Sequence, residues 1–206
     1  MRTRGVALAM TGASGAAYGL RLLEVLLGGT EDVYLMISAP GRMVIEAELG
    51  LRLSSRPAEI RSRLVEHCGG DAARLHVFGK EDWFAPLASG SSVPRAMAVC
   101  PCTSGTLGAM ACGASRSLIE RAADVVLKER QTLILVLREM PLSVLHLDNA
   151  LKLARAGALI MPASPGFYHA PQGIEDLVDF VVARILDHMG IDHDLGPRWG
   201  GTTDDS

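Results

Sequence analysis

Val6-Ala7-Leu8-Ala9-Met10-Thr11-Gly12-Ala13-Ser14-Gly15 is the stretch on which the fold turns. Five apolar residues in a row, with no polar alternation, predict a strand covered on both faces. A turn with two glycines follows, and Ala16 to Leu27 then carries Leu20, Leu23 and Leu27 on one side of a helix. The basic start, Met1-Arg2-Thr3-Arg4, superficially resembles a secretion signal. The glycine turn and amphipathic helix that come directly after it predict a first strand over residues 5–11 instead.

The same pattern recurs along the chain. Short apolar runs stand at Val33 to Ile37, Leu75 to Phe78, Ala96 to Cys100, Leu133 to Leu137 and Ala158 to Met161. Helical spacing fills gaps between and after them. Leu107 to Gly113 is rich in Gly and Ala, Leu118 to Lys128 is clearly amphipathic, and Ile174 to Met189 keeps i, i+3, i+4, i+7 spacing throughout. Strands alternating with helices predict an α/β class with a parallel sheet and right-handed crossovers. We expect one open, Rossmann-like (flavodoxin-like) domain over residues 1–189, with helices on both faces. Residues 190–206 read as a polar, Gly- and Pro-rich tail, frayed from Thr202.

Composition narrows the function. The 206 residues are 49% hydrophobic and 21% charged, as in an ordinary folded globule. A net charge of −3 disfavours a nucleic-acid partner. No run approaches the roughly 18 apolar residues needed to cross a bilayer, so no membrane partner is expected. Cys68, Cys100, Cys102 and Cys112 have no disulfide or zinc spacing, and the six His residues have no ligand spacing. These predict reduced thiols, a cytoplasmic protein and no metal. Aromatic residues are only 4% of the chain, so the core is expected to be aliphatic.

Parallel sheets bind ligands beyond the carboxyl ends of their strands. Thr11-Gly12-Ala13-Ser14-Gly15 stands there and suits an anion at a helix start, although it is also a plain turn with Ser14 as helix cap. Thr103-Ser104-Gly105-Thr106 repeats the design with three hydroxyls, which are either phosphate ligands or caps. Arg121 and Lys128 lie two turns apart on one helix face. They read as a phosphate grip, or, with Asp124 paired to Lys128, as a solvated surface. Arg138-Glu139 follows the strongest strand and suits acid/base work, or a surface ion pair. Ala88-Ser89-Gly90-Ser91-Ser92 is a small, flexible loop, and Pro165-Gly166-Phe167-Tyr168-His169 puts rings after the last strand.

These segments together resemble the UbiX-type flavin prenyltransferases, within the homo-oligomeric flavin-containing cysteine decarboxylase superfamily. The resemblance also runs through Cys100-Pro101-Cys102, Leu118-Ile119-Glu120-Arg121, Leu127-Lys128-Glu129-Arg130, Pro162-Ala163 and Pro197-Arg198-Trp199-Gly200, so it covers nearly the whole chain. It departs at Thr103-Ser104, where the family often has Ser-Thr, at Ser117 for a common Asn, and at Leu137 for a common Pro.

The resemblance implies transfer of a dimethylallyl group from dimethylallyl monophosphate to N5 and C6 of reduced FMN, without a metal. The prenylated FMN would serve a UbiD-type decarboxylase, and the enzyme would be a homo-oligomer, usually a dodecamer. It implies that Gly12, Ala13, Ser14, Ser38, Thr103, Ser104, Gly105, Thr106 and Arg138 hold FMN. Ser89, Gly90, Ser91, Arg121, Lys128, Tyr168 and Arg184 would meet the dimethylallyl phosphate, some of them across a subunit interface. Ser14, Glu48 and Glu139 would serve as catalytic groups, and Trp199 would face a developing carbocation. Two other readings compete. A cysteinyl decarboxylase of the superfamily would need an early His, and the first here is His67. A non-enzymatic FMN-binding protein would not need Arg121, Lys128, Glu139 and Tyr168 together.

Overall fold

The computed structural model describes residues 5–196, so Trp199 and most of the expected tail lie outside the described residues. Six strands form the sheet: β1 Val6–Met10, β2 Val33–Ile37, β3 Leu75–Phe78, β4 Ala96–Cys102, β5 Thr132–Leu137 and β6 Leu159–Pro162. All neighbouring pairs are parallel, in the order β3-β2-β1-β4-β5-β6. This is the Rossmann order, and it reverses between β1 and β4, which opens a crevice at their carboxyl ends.

Helices cover both faces. α1 (Ala16–Gly28), α2 (Ala39–Leu49), α3 (Pro57–Cys68) and α7 (Ile174–Met189) lie on one side; α4 (Ser104–Ala111), α5 (Leu118–Lys128) and α6 (Val144–Arg155) on the other. Side chains alternate between the two cores. Val6, Leu8 and Met10 of β1 face the first, and Ala7 and Ala9 face the second. Both faces are buried, so both sets must be apolar, and alternation vanishes from the sequence.

Four elements depart from the sequence-based expectation. β4 runs two residues beyond Cys100, through Pro101 to Cys102, by shifting register between Val99 and Cys102. β6 is not covered on both faces: Leu159 and Pro162 are exposed. α6 was not anticipated, and α2 was not either. α2 buries only Gly41 and Ile45, and α6 only Leu153, so neither shows a long core stripe. The apolar residues of α6, Val144, Leu145, Leu147 and Leu151, point to solvent instead.

Local chemistry sets the helix starts that matter below. The hydroxyl of Ser38 accepts the Gly41 amide ahead of α2, and that of Thr103 accepts the Thr106 amide ahead of α4. α1 starts differently. Its flanking residue, Gly15, sits at φ +100°, a conformation that glycine adopts readily and other residues rarely. Ser14 is therefore not the cap of α1.

Candidate active site

The crevice at the β1–β4 switch contains a cavity of about 510 Å³ lined by Thr11, Ser38, Pro40, Phe78 and Thr106 among others. Thr11 organises it. Its buried hydroxyl donates to Pro101 O at 2.8 Å and accepts the Thr103 amide at 2.8 Å. This locks the end of β1 to the start of α4 across 92 residues of sequence. Thr11 stands in the turn motif, but nothing in the sequence marks its role, because its partner is so distant along the chain.

Thr103 both caps α4 and donates to the Thr106 hydroxyl at 2.8 Å. The cap and ligand readings of these hydroxyls are therefore compatible. The amides of Ser104 and Gly105 come before the first intrahelical bond and have no acceptor among the described residues. Beside Gly105, a side chain would meet nothing within 4 Å. An open cavity, two donor amides at a helix start and a ring of hydroxyls fit the phosphate and ribityl parts of FMN.

The α1 start carries a different anion. Glu48, near the end of α2, accepts the Gly15 amide at 3.0 Å and the Ala16 amide at 2.8 Å through Oε2. Burial pushes its carboxyl up, but the Ser14 hydroxyl, the two amides and the Arg138 charge outweigh this and hold it below the usual carboxylate range. Arg138, at the end of β5, donates from Nε to Ser14 O at 3.3 Å. Ser14, Glu48 and Arg138 thus form one polar rim, with Glu139 next to it in sequence. Gly12 is fixed by crowding, since a Cβ there would lie 2.4 Å from Pro40 Cβ.

A second group forms where the Ser89–Ser91 loop crosses α5. Arg121 Nε donates to Ala88 O at 3.1 Å, and its Nη1 pairs with Asp124 at 2.8 Å. Lys128 pairs with Glu129, so two other pairs form in place of Asp124–Lys128, one of the alternatives that the spacing allows. Gly90 approaches these charges so closely that a Cβ would fall 2.1 Å from Glu129 Oε1 and 2.9 Å from Lys128 Nζ. The loop and the α5 cations are thus brought together. Ile119 and Glu120 of α5 also line the first cavity.

Tyr168 and Arg184 line a different cavity, of about 650 Å³, along α7. His169 stacks on Phe180 there, with ring centroids 5.5 Å apart, and Tyr168 meets Phe180 edge-on at 5.7 Å. Within one chain the residues read as one phosphate site therefore fall into two groups, one on α5 and one on α7.

Comparison with known proteins now adds to this geometry. A family model described as Flavoprotein matches residues 1–186. The flavin prenyltransferase UbiX of Pseudomonas aeruginosa is 56% identical over 195 residues, which is 95% of this chain and 93% of that protein. The chain belongs to the UbiX flavin prenyltransferases. A UbiX of Methanothermobacter thermautotrophicus is 44% identical over 196 residues, 95% of each chain. Among solved UbiX structures, AnUbiX (PadA1) in complex with FMN and dimethylallyl pyrophosphate aligns with a TM-score of 0.85 at 39% identity, over 98% of this chain and all of that one. A dodecameric, FMN-dependent UbiX-like decarboxylase from Escherichia coli O157:H7 aligns with a TM-score of 0.84 at 36% identity, over 96% and 100%. UbiX proteins are thus similar to this chain across its whole described fold, the switch-point crevice included.

Proposed function

We propose that this protein joins a dimethylallyl group from dimethylallyl monophosphate to N5 and C6 of reduced FMN. The observation that carries the reading is the switch-point cavity, with its free α4 amides and the Ser14–Glu48–Arg138 rim. The bound reduced flavin supplies the nucleophilic nitrogen, so the chain has no need of its own nucleophile.

The chain's residues divide the remaining work. Ser104 and Gly105 amides, with the Thr103, Thr106 and Ser38 hydroxyls, hold the cofactor. Gly12, Ala13 and Ser14 give it a close backbone wall, and Arg138 adds a positive charge. Arg121, Lys128 and Arg184, with the Tyr168 hydroxyl, compensate the phosphate as the allylic C–O bond breaks. Each cation already has a carboxylate partner, Asp124, Glu129 and Asp187. The phosphate must share or displace these. Ser89, Gly90 and Ser91 close the site near the allyl group, which keeps water from the allylic cation. Glu139, Ser14 and Glu48 hold or move the proton released when the second bond forms. Trp199 belongs to the same reading as the aromatic facing the cation.

The two cation groups meet in a homo-oligomer, on this proposal, with α7 of one subunit facing α5 of another in a dodecamer. The exposed apolar side chains Met140, Leu142, Val144, Leu145, Leu147 and Leu151 are a further surface that such an oligomer would cover. No helix among the described residues is long and apolar enough to cross a membrane. Free thiols at all four cysteines favour the cytoplasm as the site of action. The product passes to a UbiD-type decarboxylase.

The test is a mass measurement. The protein is incubated without oxygen with reduced FMN and dimethylallyl monophosphate, with the diphosphate in a parallel arm, and the flavin is weighed. A gain of one five-carbon unit is expected with the monophosphate. An unchanged flavin in both arms rejects the proposal. Addition of the product to a cofactor-free UbiD-type decarboxylase should restore decarboxylation.

A further inference from the structure

The cavity along α7 contains a chain of contacts that the phosphate reading does not use. Arg184 Nη1 donates to Asp187 Oδ2 at 2.5 Å, one turn further along the helix. The other carboxylate oxygen, Oδ1, lies 3.4 Å from His193 Nε2. His193 Nδ1 in turn accepts the Leu195 amide at 3.2 Å. A backbone N–H can only donate, so Nδ1 presents its lone pair and Nε2 carries the proton aimed at Asp187.

This ring is not a casual surface neighbour. Its side chain is only 4% exposed. Gly190, at φ +65°, turns the chain back at the end of α7, and Ile191 N–H bonds Leu186 O. Ile191 and Leu195 then pack against the core and hold residues 191–195 along the helix. The segment presents His193 to the carboxylate as a fixed donor.

An exposed ion pair three residues apart on a helix holds a long guanidinium only weakly. A carboxylate clamped on its other side by a buried ring has lost that freedom before Arg184 meets it. Nε and Nη2 of Arg184 have no acceptor among the described residues, which leaves a fork for two oxygens of one phosphate.

We propose that Asp187 and His193 are positioning residues, which aim the Arg184 guanidinium into the α7 cavity for the phosphate of the allylic donor. The inference rests on the reading of Arg184 as a phosphate ligand given above.

The test measures the Kd of dimethylallyl monophosphate on the FMN-loaded protein by calorimetry, together with KM, kcat and Tm. His193→Ala should weaken binding and raise KM about fivefold, with kcat unchanged, because only the aim of one cation is lost. His193→Gln, whose amide replaces the Nε2 donor, should restore most of the affinity. Asp187→Asn should weaken binding to a similar degree, and adding His193→Ala to it should cost little more, because both act through Arg184. Wild-type Kd in His193→Ala overturns the proposal, even if its Tm falls, since the role is then purely structural. Losses that multiply in the double variant overturn it as well. Arg184→Ala separates the two levels. An unchanged Kd there removes the phosphate reading and this inference with it, whereas a weakened Kd with normal binding in the other variants removes the positioning role alone.

Discussion

Glu48 joins two distant parts of the sequence through one carboxylate. Its oxygens take the amides of Gly15 and Ala16, which the glycine turn leaves without acceptors at the start of α1. Because the folded-state pKa is depressed, its contribution to stability is present at neutral pH and is lost as the pH falls through the lowered value. Glu48→Gln should therefore lower Tm at neutral pH, and the gap from wild type should close in acid; a gap that is constant with pH would contradict this. Glu139 follows Arg138 of this rim in sequence. Glu139→Gln should leave FMN affinity within about twofold while slowing prenylated product about a hundredfold or more, the usual scale of a lost general acid or base. An unchanged rate, read by anaerobic single turnover, would take Glu139 out of the mechanism. At this scale the sequence indicated which residues are polar and near strand ends, but not their partners. The replacement of an Asp124–Lys128 pair by Arg121–Asp124 and Lys128–Glu129 shows why: helical spacing permits several pairings, and the Ser89–Ser91 loop lying over α5 selects among them.

α4 is the element on which the proposed cofactor site rests. It has only eight residues, two of them glycine, so its own propensity is weak and its start must be secured from outside. Thr103 does this twice, by accepting the Thr106 amide and donating to its hydroxyl, while Thr11 holds the Thr103 amide. Thr103→Ala should cost about 1 kcal/mol of stability, as loss of a helix cap does, and weaken FMN binding measurably by fluorescence titration. Thr103→Ser should retain both. The strands β1, β2 and β5 were legible because a parallel strand buried on both faces must be continuously apolar. β6 and α6 do not follow the link between apolar runs and burial. β6 is apolar yet partly exposed, and α6 displays apolar side chains to solvent. Spacing alone does not say whether an apolar stripe faces its own core or a neighbouring molecule.

In the whole molecule, the exposed stripe of α6 and the separation of the cations on α5 and α7 point the same way. A lone subunit would expose Val144 and Leu145, each 73% accessible, in a continuous apolar face. In the proposed homo-oligomer, Leu145→Glu should separate the subunits in sedimentation velocity while the far-ultraviolet circular dichroism of the subunit stays intact. Retention of the full oligomer would place the contact elsewhere. The sequence by itself determined the α/β class and the parallel sheet. It did so because double-sided burial and glycine turns leave patterns that need no partner to be read. Only the tertiary structure decided that Glu48 anchors α1, that Thr11 ties β1 to α4, and that His193 reaches Asp187. Such contacts join residues whose separation along the chain bears no relation to their distance in space. Their identity follows from the strand order and from the turn at Gly190, not from local residue chemistry.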